Sequence, residues 1–136
     1  MNMGSIVWPK DARAACVHYL DFVLQVVDKL DIEFPDTRPD PRAVVRLYID
    51  GKTSGAAYMA ERDAWWVSLD ATGQITQFKD PSVLLMRLAI CLLSATTDEA
   101  PQLGEHLSWF FEVLHFMGKD LREPHAMMER YFAVTR

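Results

Sequence analysis

The chain has 136 residues, of which 50% are hydrophobic and 11% aromatic, so it is long and apolar enough to fold around one buried core. Its 14 Lys and Arg residues against 19 Asp and Glu residues give a net charge of −5, which argues against nucleic-acid binding and favours a basic partner. The first residues lack the basic and apolar segments of a secretory signal, and the most apolar stretch is too short to cross a bilayer, so we expect a cytoplasmic protein without a membrane segment.

The first predicted helix runs from Lys10 to Leu30, where apolar residues recur every three or four positions and form one stripe. His18 falls on the opposite, polar side, so we expect it to be solvated. The segment from Asp31 to Asp40 contains two prolines and four acidic residues and is predicted to be a loop, whose charge would also suit a basic partner. Its last residue caps a short helix that begins at Pro41 and ends near Gly51.

A third helix is predicted to begin after Thr53 or Ser54 and to end at Gly73. Successive spacings of four, three and four residues place one set of large side chains on the same side. This set consists of Tyr58, Arg62, Trp65 and Leu69.

Strands are the alternative for this part of the chain. β-Branched and aromatic residues are plentiful in 44–49, 65–69 and 74–78, and residues 71–73 have the composition of a hairpin turn. The alternative fold is therefore α+β, with a small sheet built from these three segments.

The stretch 80–96 predicts the central helix of the fold. Asp80 is suited to cap it, and Pro81 suits its first position. From Val83 to Leu93 every side chain is apolar except Arg87, so other helices must enclose this one on most sides. A charge in such a helix needs a partner, and we expect Arg87 to pair with a carboxylate from another helix; the alternative is an anion site between helices.

Two further helices are predicted after the central one. Thr97 or Asp98 begins the fifth helix, with Pro101 in its first turn and Gly118 at its end. The last helix begins at Pro124. Its packing side consists of Met127, Met128, Tyr131 and Phe132.

Together these elements predict an all-α fold, with one domain spanning residues 1–136 and about six helices around the central helix, 80–96. We expect Leu88 and Leu92 of that helix to be almost fully buried. The two cysteines, Cys16 and Cys91, fall on apolar helix faces, so we interpret them as reduced core thiols rather than a disulfide or a metal site.

No strong catalytic motif is present in the sequence. Glu112 and His115 have the Glu-x-x-His spacing of metal sites in helical bundles, but there is one copy and it lies on the more polar side of its helix. The four histidines lack the close His or Cys spacings of a structural zinc site. We therefore predict no catalytic residue, metal or cofactor; the alternative is a small metal-dependent or acid–base enzyme that uses Glu112 and His115.

Aromatic residues of the third and fifth helices supply the functional hypothesis. Trp, Tyr and Arg are enriched where binding energy concentrates in protein interfaces. The predicted partner-binding residues are Tyr58, Glu61, Arg62, Asp63, Trp65, Trp66, Trp109 and Phe116. We expect exposed aromatic surface on at least one of two groups: Trp65 with Trp66 on the third helix, or Trp109 with Phe116 on the fifth. The third helix is preferred, and the alternative for each group is that it completes the core.

Three segments carry a resemblance to a known class of proteins. Asp63-Ala-Trp-Trp66, Arg87-Leu-Ala-Ile-Cys-Leu-Leu-Ser94 and Leu103-Gly-Glu-His-Leu-Ser-Trp-Phe110 resemble the small, acidic, helical immunity proteins that bacteria encode beside secreted antibacterial toxins. The resemblance covers most of the chain. It implies a non-enzymatic cytoplasmic protein that binds a cognate toxin and blocks its active site or a necessary movement. A further alternative is a homo-oligomeric regulatory or structural protein that buries the same aromatics against a second copy.

Overall fold

The computed structural model describes residues 3–74 and 78–133, and within those ranges it contains six α-helices and no β-strand. The helices are α1 (Ala12–Lys29), α2 (Pro41–Ile49), α3 (Gly55–Ala71), α4 (Pro81–Leu92), α5 (Leu103–Phe116) and α6 (Arg122–Tyr131). The all-α prediction is confirmed. The α+β alternative is wrong, because 44–49 lies in α2 and 65–69 lies in α3; most of its third segment, 74–78, lies outside the described residues.

Side-chain caps fix where four of the helices begin. Asp11, Asp40, Ser54 and Asp80 each accept a hydrogen bond from a backbone N–H of the first turn, at donor–acceptor distances of 2.8 to 3.0 Å. These bonds satisfy N–H groups that have no partner inside the helix. The start of each helix in turn sets which of its residues face the core.

The central position of α4 follows from its sequence. Leu88 and Leu92 are 0% exposed, which confirms their predicted burial. The helix contacts α1, α2, α3 and α5, as its nearly continuous apolar surface requires. One hydrophobic cluster includes buried side chains from all six helices. None of the helices in the described ranges combines the length and the apolarity needed to cross a membrane.

Proline chemistry explains two boundaries that differ from the sequence prediction. The predicted fifth helix is divided into a 3₁₀ turn, Thr97–Gln102, and α5, which begins at Leu103. Pro101 lacks an N–H, and its ring would clash with the carbonyl four residues earlier, so an α-helix cannot run through it. The last helix begins at Arg122 rather than at Pro124, because proline is tolerated within a first turn.

Three helices end in the same backbone motif, with a residue of positive φ after the last turn. In α2 and α5 this residue is a glycine, Gly51 (φ 72°) and Gly118 (φ 77°), whereas in α1 it is Asp31 (φ 52°). In each case the next N–H bonds back five residues, as in Ile32 to Val27 at 3.2 Å and Lys119 to Leu114 at 3.1 Å. Asp31 is the non-glycine residue with positive φ among the described residues, so it carries backbone strain that glycine would avoid.

The prediction that His18 is solvated is wrong, because α6 covers that side of α1. The imidazole stacks on the Tyr131 ring at 4.5 Å, and the Tyr131 hydroxyl donates to the His18 carbonyl at 3.0 Å and to Asp21 at 3.1 Å. Burial lowers the pKa of His18, while the Asp21 carboxylate acts in the opposite direction.

Both cysteines are free and buried, as the sequence indicated. The thiol of Cys16 donates to the carbonyl of Thr96 at 3.2 Å. Burial raises the pKa of both Cys16 and Cys91, which keeps them in the unreactive thiol form.

Candidate functional site

Two of the predicted anchors of the third helix belong to the core. Tyr58 and Trp65 are both 0% exposed, so the prediction that they offer surface to a partner is wrong. The Tyr58 ring stacks on Tyr48 with a centroid distance of 4.2 Å and an interplanar angle of 8°. Its hydroxyl donates to the carbonyl of Leu92 at 2.7 Å and accepts from the N–H of Ala95 at 3.2 Å, which ties α3 to the end of α4.

A cation from α1 completes this buried arrangement. The guanidinium of Arg13 lies 4.6 Å from the centre of the Tyr48 ring. Its Nη2 also donates to the carbonyls of Tyr48 and Ile49, at 2.7 and 3.0 Å, where the end of α2 leaves backbone acceptors without helical partners. We call Arg13, Tyr48 and Tyr58 the inner aromatic stack. It joins four helices and has a structural role.

The remaining predicted residues of α3 stay closer to the surface, but their charges are paired within the chain. Glu61 accepts a hydrogen bond from Arg38 of the loop at 3.1 Å, and Arg62 pairs with Asp63 at 3.1 Å. Trp66 is half-buried and packs against the core. The surface of α3 therefore offers one partly covered aromatic ring, paired charges and the exposed side chains of Met59 and Val67.

The other predicted group, on α5, keeps an accessible ring. Trp109 is half-buried against the core, whereas Phe116, the last residue of α5, is 43% exposed. Its ring contacts Phe78, which is 37% exposed, at a centroid distance of 5.2 Å and an angle of 37°. In the part of the chain that the structure describes, these two are the exposed rings among Phe, Tyr and Trp. We call Phe78 and Phe116 the outer aromatic pair.

Sequence reasoning missed Phe78. The residue lies two positions before the cap of α4, outside any helix, so it belongs to no periodic pattern. A large apolar residue two positions before a capping Asp is a weak signal, and nothing in the sequence indicated that its ring meets Phe116.

A groove of about 280 Å³ lies beside Phe116. The loop after α1, the start of α4 and the end of α5 enclose it. Its apolar lining is formed by Ile32, Pro81, Leu84, Leu85, Phe116 and Met117. Of these, Ile32 and Leu84 are buried and form the floor. Charged residues of both signs border the groove: Asp31 and Glu33 come from the loop, whereas Lys79 and Lys119 come from the segments before α4 and after α5.

Arg87 reaches the outer aromatic pair from inside the protein. The side chain is 6% exposed, and its guanidinium lies 4.2 Å from the centre of the Phe78 ring. The predicted ion pair with a carboxylate is wrong for the described residues, where no acidic group pairs with Arg87 and its Nε has no hydrogen-bond partner. The electron-rich face of Phe78 takes the place of the carboxylate, and burial lowers the pKa of Arg87.

The groups considered for catalysis do not converge. Glu112 and His115 are both exposed on α5. Within residues 3–74 and 78–133, no group of three His, Cys, Asp or Glu side chains comes close enough to hold a metal ion. His106, near the start of α5, pairs at 3.3 Å with Glu99 of the preceding 3₁₀ turn, whereas His115 lies near the end of α5.

Comparison of the chain with protein-family models, with curated proteins and with solved structures gave no match.

Proposed function

We propose that this chain is a non-enzymatic immunity protein that binds a cognate secreted antibacterial toxin in the cytoplasm and neutralises it. The observation that carries the proposal is the outer aromatic pair, Phe78 and Phe116, exposed beside an apolar groove. An inhibitor needs a surface that is preformed, because ordering side chains on binding costs free energy.

Burial of the outer aromatic pair against a partner would contribute to the free energy of binding. Complete burial of a Phe side chain contributes about 1.5–3 kcal/mol, so covering the exposed fraction of both rings contributes roughly 2 kcal/mol together. Aromatic anchors of this kind concentrate binding energy, while the surrounding contacts exclude water. The groove next to Phe116 gives a partner's side chain a place to enter.

The charge of the chain supports a basic partner. A net charge of −5 attracts a positively charged toxin and raises the rate of encounter. Many acidic side chains are exposed, including Asp31 and Glu33 at the groove, so the attraction continues to the proposed contact surface. Binding there would inhibit the toxin by covering its active site or by preventing a movement that its activity requires.

The direct test is protection of cells. A toxin gene encoded next to this one is expressed in a sensitive bacterial host, with and without this chain. We expect growth to be restored by this chain and not by an unrelated acidic helical protein, and the two purified proteins to elute together as one complex. Failure to protect against any toxin encoded beside the gene, or a neighbourhood of metabolic genes alone, would contradict the proposal.

Two measurements on the purified chain address the competing functions. Metal analysis tests the enzyme that would use Glu112 and His115, since stoichiometric iron, manganese or zinc would overturn a non-enzymatic role. Light scattering at low concentration tests the homo-oligomer, in which the outer aromatic pair would be buried against a second copy. We expect a metal-free monomer.

A further inference from the structure

We propose that the groove beside Phe116 receives one aromatic side chain of the toxin, and that a basic residue next to this anchor pairs with Asp31 and Glu33. The inference rests on the proposed function and specifies the chemistry of the partner. Three features of the groove carry it: its size, its aromatic border and its acidic wall.

The size of the groove fits a side chain rather than a cofactor. Its volume of about 280 Å³ is at the lower limit of small-molecule sites, which typically enclose about 300–1,000 Å³. The floor, formed by Ile32 and Leu84, is buried and apolar. Such a cavity takes one large apolar side chain, which is how an anchor residue enters a partner.

The border of the groove favours an aromatic anchor over an aliphatic one. Phe116 lines the groove, and its ring is tilted at 37° to that of Phe78 with the two centres 5.2 Å apart; both rings remain partly exposed. Rings pair at centroid distances of about 4.5–7 Å in tilted or offset arrangements, so a third ring can extend this pair. The guanidinium of Arg87 holds Phe78 from its buried side at 4.2 Å, which makes the pair a fixed surface.

The loop after α1 places two acidic residues, Asp31 and Glu33, at the groove. The same terminal motif contains Gly51 after α2 and Gly118 after α5, where positive φ causes no strain. After α1 the position is occupied by Asp31, which lines the groove together with Glu33. The negative charge of these two residues favours a basic neighbour for the anchor.

The basic wall fixes the orientation of the bound segment. Lys119 borders the groove from the end of α5, and Lys79 borders it from the segment before α4. A basic residue of the partner is repelled there and attracted to the loop that carries Asp31. The groove therefore specifies on which side of the anchor the basic residue lies.

Short peptides test this chemistry without the toxin. The ¹⁵N-labelled protein is titrated with N-acetylated, C-amidated Arg-Trp, Glu-Trp and Arg-Ala, and amide shifts are followed by NMR. We expect Arg-Trp to shift the amides of Ile32, Leu84 and Met117, and to bind at least about fivefold more tightly than either control. Equal binding of Arg-Trp and Glu-Trp, or shifts confined to α3, would overturn the inference.

The toxin itself provides the second test. Asp31→Lys with Glu33→Lys is compared with Asp50→Lys and Asp70→Lys, two exposed residues outside the groove lining whose replacement changes the net charge equally. Contact in the groove predicts at least a tenfold loss of affinity for the first double variant, mostly through faster dissociation, and less than about a threefold loss for the control. Equal losses would overturn the inference while protection by the unaltered chain still supported the proposed function. Absence of any toxin binding would instead remove the proposed function.

Discussion

The inner aromatic stack and the outer aromatic pair use similar rings in opposite environments. Tyr48 and Tyr58 lie parallel at 4.2 Å, both buried, and the Tyr58 hydroxyl bonds to the backbone of Leu92 and Ala95. Phe78 and Phe116 are tilted at 5.2 Å and both exposed. The hydroxyl of a buried Tyr needs hydrogen-bond partners, which for Tyr58 are the backbone groups of Leu92 and Ala95. A Phe side chain has no polar atom, so it needs no such partner.

This difference separates residues that hold the fold from residues that are free to bind. The inner stack joins four helices, so changes there alter the free energy of unfolding. The outer pair lies where the segment before α4 meets the end of α5, and changes at Phe116 are expected to alter binding more than stability, whereas Phe78 also covers the buried Arg87.

Adjacent tryptophans on α3 provide the sharpest stability contrast. Trp65 is fully buried and Trp66 half-buried. We expect Trp65→Ala to lower the free energy of unfolding by about 3–5 kcal/mol, because it removes a large core side chain and leaves a cavity. Trp66→Ala is the matched control and is expected to cost less than half as much. Denaturant titration of both variants measures the difference, and equal losses would show that α3 is rotated relative to the structure.

The hydroxyl of Tyr58 accounts for a smaller effect. Tyr58→Phe keeps the ring stack but leaves the carbonyl of Leu92 and the N–H of Ala95 without this partner. We expect a loss of about 1–3 kcal/mol, the range for buried polar groups left unsatisfied. Tyr48→Phe is the control, since the Tyr48 hydroxyl makes no hydrogen bond within the described ranges, and it is expected to change stability by less than about 0.5 kcal/mol. Thermal and denaturant unfolding of the two variants distinguish these outcomes.

Replacing Asp31 by glycine is expected to stabilise the protein while weakening its function. Glycine adopts the positive φ without strain, which raises the free energy of unfolding by about 1 kcal/mol. The greater freedom of glycine in the unfolded chain offsets part of this, so the net increase is about 0.5 kcal/mol. The same change removes one carboxylate from the groove, so toxin affinity falls. A variant that is both less stable and fully active would show that Asp31 serves the fold instead.

His18 is intermediate between the buried inner aromatic stack and the exposed outer aromatic pair, because its ring is partly covered and stacks on Tyr131. Because burial lowers its pKa in the folded state, the unfolded chain binds a proton more readily. Stability is therefore expected to fall as the pH decreases through the ordinary value of 6.5 toward the lowered one. His18→Gln removes this contribution, so the variant is expected to lose less stability than the unaltered chain between pH 7 and pH 5. An identical pH dependence would mean that His18 titrates normally.

Much of the helical framework could be predicted because local chemistry determines it. Asp40 and Asp80 precede prolines and cap helices, and the apolar run around Leu88 has to be enclosed. Periodicity shows which residues share a face, but it does not show whether another helix covers that face. For this reason Tyr58 and Trp65 were predicted as binding residues although α4 packs over them.

The groove could not be predicted because its parts are distant in sequence. The loop residue Ile32, Leu84 of α4 and Phe116 of α5 meet through the packing of three elements. Phe116 was identified from its aromatic character alone, and its partner Phe78 lies outside any periodic segment. Arg87 was recognised as a charge that needs a partner, but the sequence did not indicate that a ring would serve.

The central claim is that the outer aromatic pair is a binding surface. It is tested most directly by titrating the toxin with the Phe116→Ala variant in a calorimeter, with unfolding of the same sample measured in parallel. The account predicts that affinity falls about fivefold or more, corresponding to about 1 kcal/mol for the share of Phe116 in the pair, while the free energy of unfolding changes by about 1 kcal/mol or less. A folded variant that binds the toxin as tightly as the unaltered chain would contradict the claim.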